Sequence, residues 1–467
     1  MDRLSPLDAM FLEIEDADPN ASLAIASVAL VEGPAPSWEE FAAASTTLLP
    51  LLPRSRQRVR RVPLDLGPSV WVDDQHADLA RHLHRISAPA PGDEAALCEV
   101  VATIMAERLD RARPLWECWV IEGLDRGRWA ILSKVHHCVT DGISGTTVHE
   151  HVFRDQRPTT LPAGEPKSEP NTARLLLASV GGQVTDLIEG LNRIAGALVA
   201  PWRVPRLARD LGTLATALVP VTPSSLSGPI GRQRHYELAH ASLPEIIGIG
   251  RAFGATVNDV VLAAIAGGFR AVLLDRGENP APDTVRSVVP VSLHQPGQHA
   301  MGNQFTVMLP MLPVDLGEPV ARLMAVRHRL TDLKAHAGAG LAATTFAQHA
   351  PFAPIAWAVR AAATLPQRSV VAVTTNVPGP RHRLSVLGRP IVELYPYVPI
   401  ALRLRTGIAV LSYVDRVSFG ISADLDTRPK RHLLAEAIER DIASLSDAAR
   451  VITPSPANDP LRDAERG

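Results

Sequence analysis

The chain has 467 residues, of which 46% are hydrophobic and 21% are charged, and its formal net charge is −2. This composition excludes intrinsic disorder as the main state, and it lacks the basic charge excess that binding to nucleic acid requires. Its three cysteines, Cys98, Cys118 and Cys138, form no CxxC pair, which excludes a disulfide framework or a cysteine-rich zinc site.

The sequence predicts no signal peptide, because no basic segment near the N-terminus is followed by an apolar run. Two long stretches, Leu211–Gly231 and Ala337–Val359, carry no charged residue. Both contain prolines and many small residues, whereas a membrane-spanning helix needs about 20 mainly apolar residues. The sequence therefore predicts loops and surface-lying helices there, and a soluble or peripheral protein.

The first third of the chain mixes strand and helix patterns. Ser37 followed by Glu40 forms a capping-box pattern at the start of one predicted helix. The predicted strands are Ser22–Glu32, Leu115–Glu122 and Arg128–Val135, and the predicted helices are Ser37–Leu51, Glu94–Asp110 and Gly142–Val152.

A segment rich in proline, serine and charges, Arg154–Pro170, has the composition of a linker. Helical patterns follow at Thr172–Val199 and Arg203–Leu218, and Thr222–Gly231 is rich in Ser, Pro and Gly. Strands and helices then alternate again. The predictions are a helix over Ala252–Arg276, strands over Val285–Leu293, Gln304–Val314 and Ser369–Asn376, and a hairpin of Ile408–Val414 with Arg416–Ala423.

This order predicts an α/β (α+β) protein with two lobes. The first lobe comprises residues 1–153, and the second comprises residues 232–452. Residues 154–231 form a proline-rich linker with connecting helices, and residues 453–467 form a disordered tail.

The most distinctive segment is an apolar strand that ends in two adjacent histidines, His136 and His137. Asp141 and Gly142 follow four and five residues after the second histidine. Because successive side chains of a strand point to opposite faces, one histidine can face a cleft while the other packs. A neutral imidazole, with a pKa near 6.5, can accept a proton at neutral pH. The pattern thus indicates a general base, although a structural role is equally compatible with the residues alone.

Two other chemistries are compatible with the same segment. His136, His137, Asp141, His149 and His151 are close enough in sequence to suggest a metal site, but no H-E-x-x-H helix supports it. Cys138 could be a thiol nucleophile, yet its side chain should point away from that of His137. The sequence contains neither a G-x-S-x-G elbow nor a phosphate-binding P-loop.

The segment His136–Gly142 fits the HHxxxDG motif of the CoA-dependent acyltransferase superfamily. Further motifs in the same order resemble the bacterial wax ester synthase/acyl-CoA:diacylglycerol acyltransferase family, from Leu4 to about Leu445. They are Leu4–Leu12 (LSPLDAMFL), Pro114–Trp116 (PLW), Ser227–Ile230, Val257–Val260, Val289–Ser292 and Thr375–Pro380 (TNVPGP). Relatives often have Asn-Gly at Ser227-Gly228.

The resemblance implies two chloramphenicol-acetyltransferase-like lobes, with mixed sheets flanked by helices and an active-site tunnel between them. It assigns the general base to His137 and a supporting role to His136. It also implies that Asp141 orients the motif by pairing with an arginine, for which Arg56 is the candidate, and that Gly142 completes the turn.

The resemblance places Asn258 and Asp259 near the tunnel, with Asn258 steadying the substrate or an oxyanion. From the residues alone, both could simply form the N-terminal cap of the next helix. Pro114–Trp116 is expected to pack at the start of a strand, and Asn376–Pro380 to form a rigid loop between the lobes.

The implied reaction transfers a long-chain acyl group from acyl-CoA to diacylglycerol or a long-chain alcohol, with no cofactor and no metal. The expected location is cytoplasmic, peripheral at the inner face of the plasma membrane or on lipid droplets, with Thr172–Leu218 as a candidate lipid-facing segment.

Two alternatives stay open: a condensation-type enzyme using a carrier-bound thioester, and a catalytically silent lipid-binding paralogue. The arginine-rich, lysine-poor composition, together with the family, indicates an actinobacterial source. The oligomeric state is not specified by the sequence.

Overall fold

A computed structural model describes most of the chain. The described residues are 2–48, 54–139, 169–177, 179, 219–292, 305–335, 352–428, 430 and 432–452. The predicted helix Gly142–Val152, the linker up to residue 168, the helix Arg203–Leu218 and the tail lie outside them, as does most of Thr172–Val199.

The first large sheet has six strands, and all neighbours are antiparallel except the last pair. Its central strands combine buried apolar residues with a few polar ones, such as Ser27 in β2 and Lys134 in β7. In spatial order the strands are Ser385–Val386 (β13), Arg389–Tyr397 (β14), Ala24–Val31 (β2), Arg128–His136 (β7), Trp116–Leu124 (β6) and Leu83–Ser87 (β5).

The second large sheet has seven strands and is mixed, since β12 runs parallel to both of its neighbours. In spatial order the strands are Phe305–Met308 (β10), Val285–Ser292 (β9), Ala372–Val377 (β12), Thr406–Tyr413 (β15), Arg416–Asp424 (β16) and Arg234–Ser242 (β8), with Met311–Leu312 (β11) also paired to β9.

A small antiparallel sheet lies at the edge of the first layer. Its strands, in spatial order, are Asp2–Arg3 (β1), Val70–Asp73 (β4) and Gln57–Arg60 (β3). The linker helix, residues 172–177, packs Leu175 against Val62, Val70 and Val72 of this region. Arg58 and Arg60 bind Glu169 at the end of the linker. The small sheet therefore anchors the end of the connecting segment.

Eight longer helices cover the sheets. They are Pro6–Ala17 (α1), Trp38–Leu48 (α2), Glu94–Ala106 (α3), Leu243–Phe253 (α4), Val257–Asp275 (α5), Pro319–Ala335 (α6), Phe352–Thr364 (α7) and Leu433–Ile452 (α8), within the described part of the chain. A short 3₁₀ turn at Pro63–Asp65 packs against α7. The largest core cluster surrounds α5 and the second sheet.

The α/β architecture with mixed sheets is confirmed, and so are several predicted elements. The strand predicted at Ser22–Glu32 is β2, and the predicted hairpin is formed by β15 and β16. The Ser37 hydroxyl accepts the amide of Glu40 at 3.1 Å, as a capping box requires. The carboxylate of Glu40 instead binds Arg389, so only half of the box forms.

Three predicted elements were wrong in extent. The helix predicted over Glu94–Asp110 ends at Ala106. The helix predicted over Ala252–Arg276 begins only at Val257, because Gly254 ends α4 with a φ of 61° and Thr256 caps α5. The strand predicted over Gln304–Val314 divides into β10 and β11, and the carbonyl of Pro310 between them accepts the amide of Ser287.

The second half of the chain also contributes to the first sheet. β14 pairs with β2 along its length, and β13 extends the same edge. The range 232–452 therefore does not form a separate lobe by itself, because its strands at 385–397 complete the sheet of the first lobe. Strand β14 pairs within the first sheet and also contacts β15 and β16 of the second, so it links the two sheets.

Among the described residues, one helix, α5, is long and apolar enough to cross a membrane. Most of it is buried in the core of the second lobe, where it packs against α6 and α8. The length and composition of α5 therefore also fit a helix buried in the core of a protein.

The junction between the sheets offers a test of packing at Gly420. A Cβ atom at this position would lie 1.8 Å from the carbonyl oxygen of Pro396 on β14. We expect Gly420→Ala to lower the free energy of unfolding by roughly 2–3 kcal/mol, since the strands must separate to admit a methyl group. Denaturant unfolding measures this change. Gly248→Ala, in open space on α4, is the control and should unfold no earlier than the wild type.

Candidate active site

Strand β7 delivers the histidine pair to one end of the first sheet. It lies between β2 and β6 and is hydrogen-bonded to both. His136 is its last residue and is 1% exposed. The amide of His136 donates to the carbonyl of Leu115 at 3.0 Å, so the Pro-Leu-Trp segment holds the end of the strand. Leu115 and Trp116 are buried, which agrees with the predicted packing role.

The chain turns immediately after His136. The amide of His137 donates to the carbonyl of Leu23 at 3.0 Å, and the amide of Val139 donates to the carbonyl of His136 at 2.9 Å. The amide of Cys138 donates to Nδ1 of His136 at 3.2 Å. Because Nδ1 accepts this bond, a neutral His136 must carry its proton on Nε2. The turn therefore fixes the tautomer of the first histidine.

The imidazole of His137 is half-buried and stacks on the ring of Phe11 from α1. The ring centroids are 4.0 Å apart, and the planes make an angle of 18°. The Nδ1 atom of His137 is buried. Backbone and ring contacts therefore hold the second histidine in one orientation.

Glu15 on α1 is the functional residue that the sequence analysis missed. It is 2% exposed, and its Oε1 accepts the amide of Leu23 at 2.9 Å. The carbonyl of Leu23 in turn holds the amide of His137. Oε2 of Glu15 lies 3.6 Å from Nε2 of His136, just beyond hydrogen-bond distance. One carboxylate thus faces the first histidine and, through Leu23, positions the second.

Two arginines hold Glu15 and the helix that carries it. Arg111 donates to Oε2 of Glu15 at 2.6 Å and to Asp16 at 2.6 Å. Arg108 donates to the carbonyl of Ala21 at 2.8 Å and to that of Glu15 at 2.5 Å. The end of α1 and the loop before β2 are therefore fixed by charge-assisted bonds.

The electrostatics of this cluster keep Glu15 ionised. Burial alone would raise the pKa of Glu15, but the facing His136, the amide of Leu23 and the guanidinium of Arg111 outweigh it and lower the pKa to about 2. A permanent negative charge beside Nε2–H of His136 favours the tautomer that the turn already selects. The arrangement is a carboxylate–histidine pair beneath a second, partly accessible histidine.

The rest of the HHxxxDG motif, Asp141 and Gly142, lies outside the described residues. Arg56 is exposed in the turn before β3 and makes no ion pair within the described residues, so its pairing with Asp141 stays a prediction. The described ranges contain no cluster of three metal-ligating side chains, whereas His149 and His151 fall outside them.

Asn258 and Asp259 begin α5 in the second lobe. Asp259 is buried and completes a capping box with Thr256: each side chain accepts the backbone amide of the other residue. The side chain of Asn258 accepts a hydrogen bond of 3.2 Å from Asn376, at the end of β12. Asp259 therefore stabilises the helix start, and the Oδ1 atom of Asn258 is fixed by Asn376 of the Asn-Val-Pro-Gly-Pro segment.

Cys138 is buried among apolar side chains of the first lobe. Burial raises the pKa of its thiol well above the ordinary value. A nucleophile must be a thiolate, so this environment disfavours a covalent role.

Cys138→Ala is accordingly expected to keep nearly full activity. The substitution removes one buried sulfur, which should lower the free energy of unfolding by about 1 kcal/mol. Steady-state kinetics with an acyl-CoA donor measures the effect on turnover. A loss greater than tenfold in kcat, in a folded variant, would support the thiol mechanism instead.

Two features of the sequence are compatible with roles for Phe11 and Glu15 at this site. The two residues are four positions apart on α1 and so share one face of the helix. Buried positions on that helix include two acidic residues, Glu13 and Glu15, which is unusual for a packed face.

Comparison with known proteins agrees with this architecture. The model of the wax ester synthase/diacylglycerol acyltransferase catalytic domain matches residues 4–261, and that of the C-terminal domain of the same family matches residues 301–446. A probable diacylglycerol O-acyltransferase of Mycobacterium tuberculosis, tgs1, is 42% identical over 95% of this chain and 96% of its own. A second putative diacylglycerol O-acyltransferase of that organism is 34% identical over 95% and 91%.

Solved structures show the same fold. A wax ester synthase/diacylglycerol acyltransferase from Marinobacter aquaeolei VT8 superposes with a TM-score of 0.68 at 24% identity, covering 96% of this chain and all of the other. The first condensation domain of the CDA synthetase superposes with a TM-score of 0.59 at 15% identity, covering 96% of each chain.

Proposed function

Because this chain belongs to the wax ester synthase/diacylglycerol acyltransferase family, we propose that it transfers a long-chain acyl group from acyl-CoA to the hydroxyl of diacylglycerol, forming triacylglycerol. Long-chain alcohols would serve as second acceptors and yield wax esters. The observation that carries the proposal is the histidine pair at the end of β7, with His137 stacked on Phe11 and partly accessible.

In the proposed mechanism His137 is the general base. Its Nε2 is the nitrogen assigned to the substrate, because Nδ1 is buried. Nε2 takes the proton of the acceptor hydroxyl while the oxygen attacks the thioester carbonyl. The tetrahedral intermediate collapses with cleavage of the carbon–sulfur bond, and the imidazolium returns the proton to the CoA thiolate. A positioned base of this kind contributes about 10²–10⁴-fold to the rate.

The negative charge of the tetrahedral intermediate needs a hydrogen-bond donor. Asn258 is the candidate, since its Oδ1 accepts from Asn376 and its NH₂ group stays available. It is the second residue of α5, where the positive end of the helix dipole adds to the stabilisation. The mechanism requires no cofactor and no metal, and acyl-CoA is a co-substrate.

The partners follow from the same chemistry. Acyl-CoA arrives from water, whereas diacylglycerol and triacylglycerol reside in a lipid phase because each buried CH₂ contributes about 0.8 kcal/mol. We therefore assign the protein to the cytoplasm, in peripheral contact with the inner face of the plasma membrane or with lipid droplets.

One assay tests the function. Purified protein is given labelled palmitoyl-CoA with either dioleoylglycerol or hexadecanol, and the lipid products and free thiol are followed. Triacylglycerol and thiol should appear in equal amounts, with and without a chelator. Absence of both esters from folded protein would disprove the proposal, and inhibition by the chelator would favour a metal site.

A further inference from the structure

Several large apolar side chains of this protein are strongly exposed. Apart from Val451 near the described C-terminus, the four most exposed large hydrophobic residues are Leu64 at 82%, Leu177 at 76%, Trp357 at 64% and Leu365 at 60%. They come from the 3₁₀ turn between β3 and β4 of the small sheet, from the linker helix, and from α7 and the residue after it. Large exposed apolar patches mark interaction sites in soluble proteins.

Helix α7 carries most of this surface, because it is apolar on both faces. Phe352 and Ala356 are buried on its inner face. The described exposed positions of the helix and its C-terminal extension are also all apolar: Pro354, Trp357, Ala358, Ala361, Ala362 and Leu365. Polar residues normally occupy the exposed face of a surface helix. This helix is therefore suited to an apolar environment outside the protein.

Arg360 is the one charged residue of α7, and its side chain is directed to its neighbours within the fold. It donates to Glu13 of α1 at 2.5 Å, and its two terminal nitrogens bind the Asp65 carboxylate at 2.7 and 3.0 Å. These bonds, with the indole of Trp357, lower the pKa of Asp65. Helix α7 is thus held firmly against α1 and the 3₁₀ turn, and its apolar side stays exposed.

Leu64 has an unusual backbone for its type. Its φ of 61° lies in the left-handed region, which a leucine rarely adopts, and the side chain points into solvent. Such strained positions are often associated with function. The linker helix packs Leu175 on Val62 and Leu66, the residues on either side of this turn.

The inner side of α7 connects this surface to the active site. Phe352 and Ala356 belong to the same packed cluster as Leu12 of α1 and Cys138, the residue after His137. Helix α7 also packs against α1, which carries the Phe11 ring that stacks on His137.

We propose that Leu64, Trp357 and Leu365 form a lipid-docking face that lies on the surface of a phospholipid membrane. The inference rests on the proposed function, since it explains how a water-insoluble acceptor reaches His137 and how its product leaves. Tryptophan and leucine on an interfacial helix bury in the boundary between headgroups and acyl chains. Lipid contact would then involve α7, and would not be limited to the segment Thr172–Leu218 that the sequence suggested.

The charges around the face favour a lipid surface. Arg174 on the linker helix and Arg368 after α7 are exposed and make no ion pair within the described residues. Each cationic side chain near an anionic membrane contributes about 1 kcal/mol to binding. Anionic headgroups should therefore strengthen docking.

Flotation of the whole protein with vesicles of phosphatidylcholine, phosphatidylglycerol and dioleoylglycerol tests the face. The double variant Leu64→Asn/Trp357→Gln should float about tenfold less than the wild type, because two inserted apolar side chains are lost. Asparagine tolerates the left-handed backbone, and a glutamine amide can still donate to Asp65. The matched control, Leu274→Asn/Met324→Gln, changes two other exposed apolar residues and should float like the wild type.

Two further measurements separate docking from catalysis. Transfer from acyl-CoA to dissolved hexan-1-ol should stay within twofold in the double variant, while transfer to vesicle-borne diacylglycerol should fall with flotation. Brominated lipid should quench wild-type tryptophan fluorescence but quench Trp357→Phe much less.

Several results would overturn the inference. Equal flotation of the double variant and the wild type, or no flotation of the wild type, would remove the lipid contact. A wild-type dimer in light scattering that the double variant loses, without a change in flotation, would assign the face to a second copy of the chain. Flotation needs no turnover, so loss of ester synthesis alone would count against the proposed function and not against the face.

Discussion

His137→Ala should reduce kcat by about 10²–10⁴-fold, because it removes the group that takes the proton from the acceptor hydroxyl. The same substitution also removes the ring stack on Phe11 from the folded protein. Such a stack contributes about 0.5–1.5 kcal/mol, so its loss should lower the melting temperature by a few degrees. Turnover with palmitoyl-CoA and thermal unfolding are measured on the same preparation.

His84→Ala provides a matched control for this variant. His84 also stacks on an aromatic ring, that of Trp119 at 4.3 Å, but it lies on β5 at the far edge of the same sheet. It should keep kcat while losing a similar amount of stability. If His137→Ala kept more than a tenth of the wild-type kcat, another group would have to be the base.

The histidine pair could be located from the sequence because all of its information is local. A continuous apolar strand, two histidines and a turn lie within a few residues, and the structure places them at a strand end as predicted. The fold class was predictable for a similar reason, since β2, β6, β7 and the β15–β16 hairpin are strongly patterned segments.

Glu15 could not be located in this way. Glu13, Glu15, Asp16 and Asp18 follow one another near the end of α1, and nothing in their spacing shows which carboxylate faces the histidines. The choice is made by tertiary packing, which brings α1 over the end of β7 and buries Glu13 and Glu15 while Asp16 stays more exposed.

The pairing of β14 with β2 was hidden for a related reason. The segment Arg389–Tyr397 contains two prolines and two charged residues, so its local pattern is weak. Its partner is distant in sequence, and strand pairing over such a distance depends on how whole layers meet.

Helix α7 was recognisable only in part: its charge-free stretch predicted a surface-lying helix, but only the structure shows that its exposed side is apolar.

Glu15→Gln should have the second large effect, on stability as well as on activity. The carboxylate accepts from Leu23 and Arg111 and faces the Nε2–H of His136, all of which are donors. A carboxamide has only one acceptor oxygen, so its NH₂ group must face one of these donors. Arg111 also loses its charge partner in a buried site. We expect the free energy of unfolding at pH 7 to fall by about 3 kcal/mol.

Glu15→Gln should also change how the free energy of unfolding depends on pH in the acidic range. The pKa of Glu15 is lowered from 4.5 to about 2, so between these values the unfolded chain binds the proton more readily than the folded one. Stability from this group is complete above about pH 5 and is lost as the pH falls towards 2. The difference between wild type and Glu15→Gln should therefore shrink by on the order of 3 kcal/mol over this range, as measured by urea unfolding.

Glu13→Gln distinguishes a positioning role for Glu15 from a general effect of a buried carboxylate. Glu13 is equally buried on the same helix, but it binds Arg61 and Arg360 on the side away from the histidines. Both variants should lose stability, whereas only Glu15→Gln should lower kcat with a dissolved alcohol acceptor, by tenfold or more. Equal kcat values for the two variants would leave Glu15 with a purely structural role, because its contact with His136 and Leu23 is the feature that Glu13 lacks.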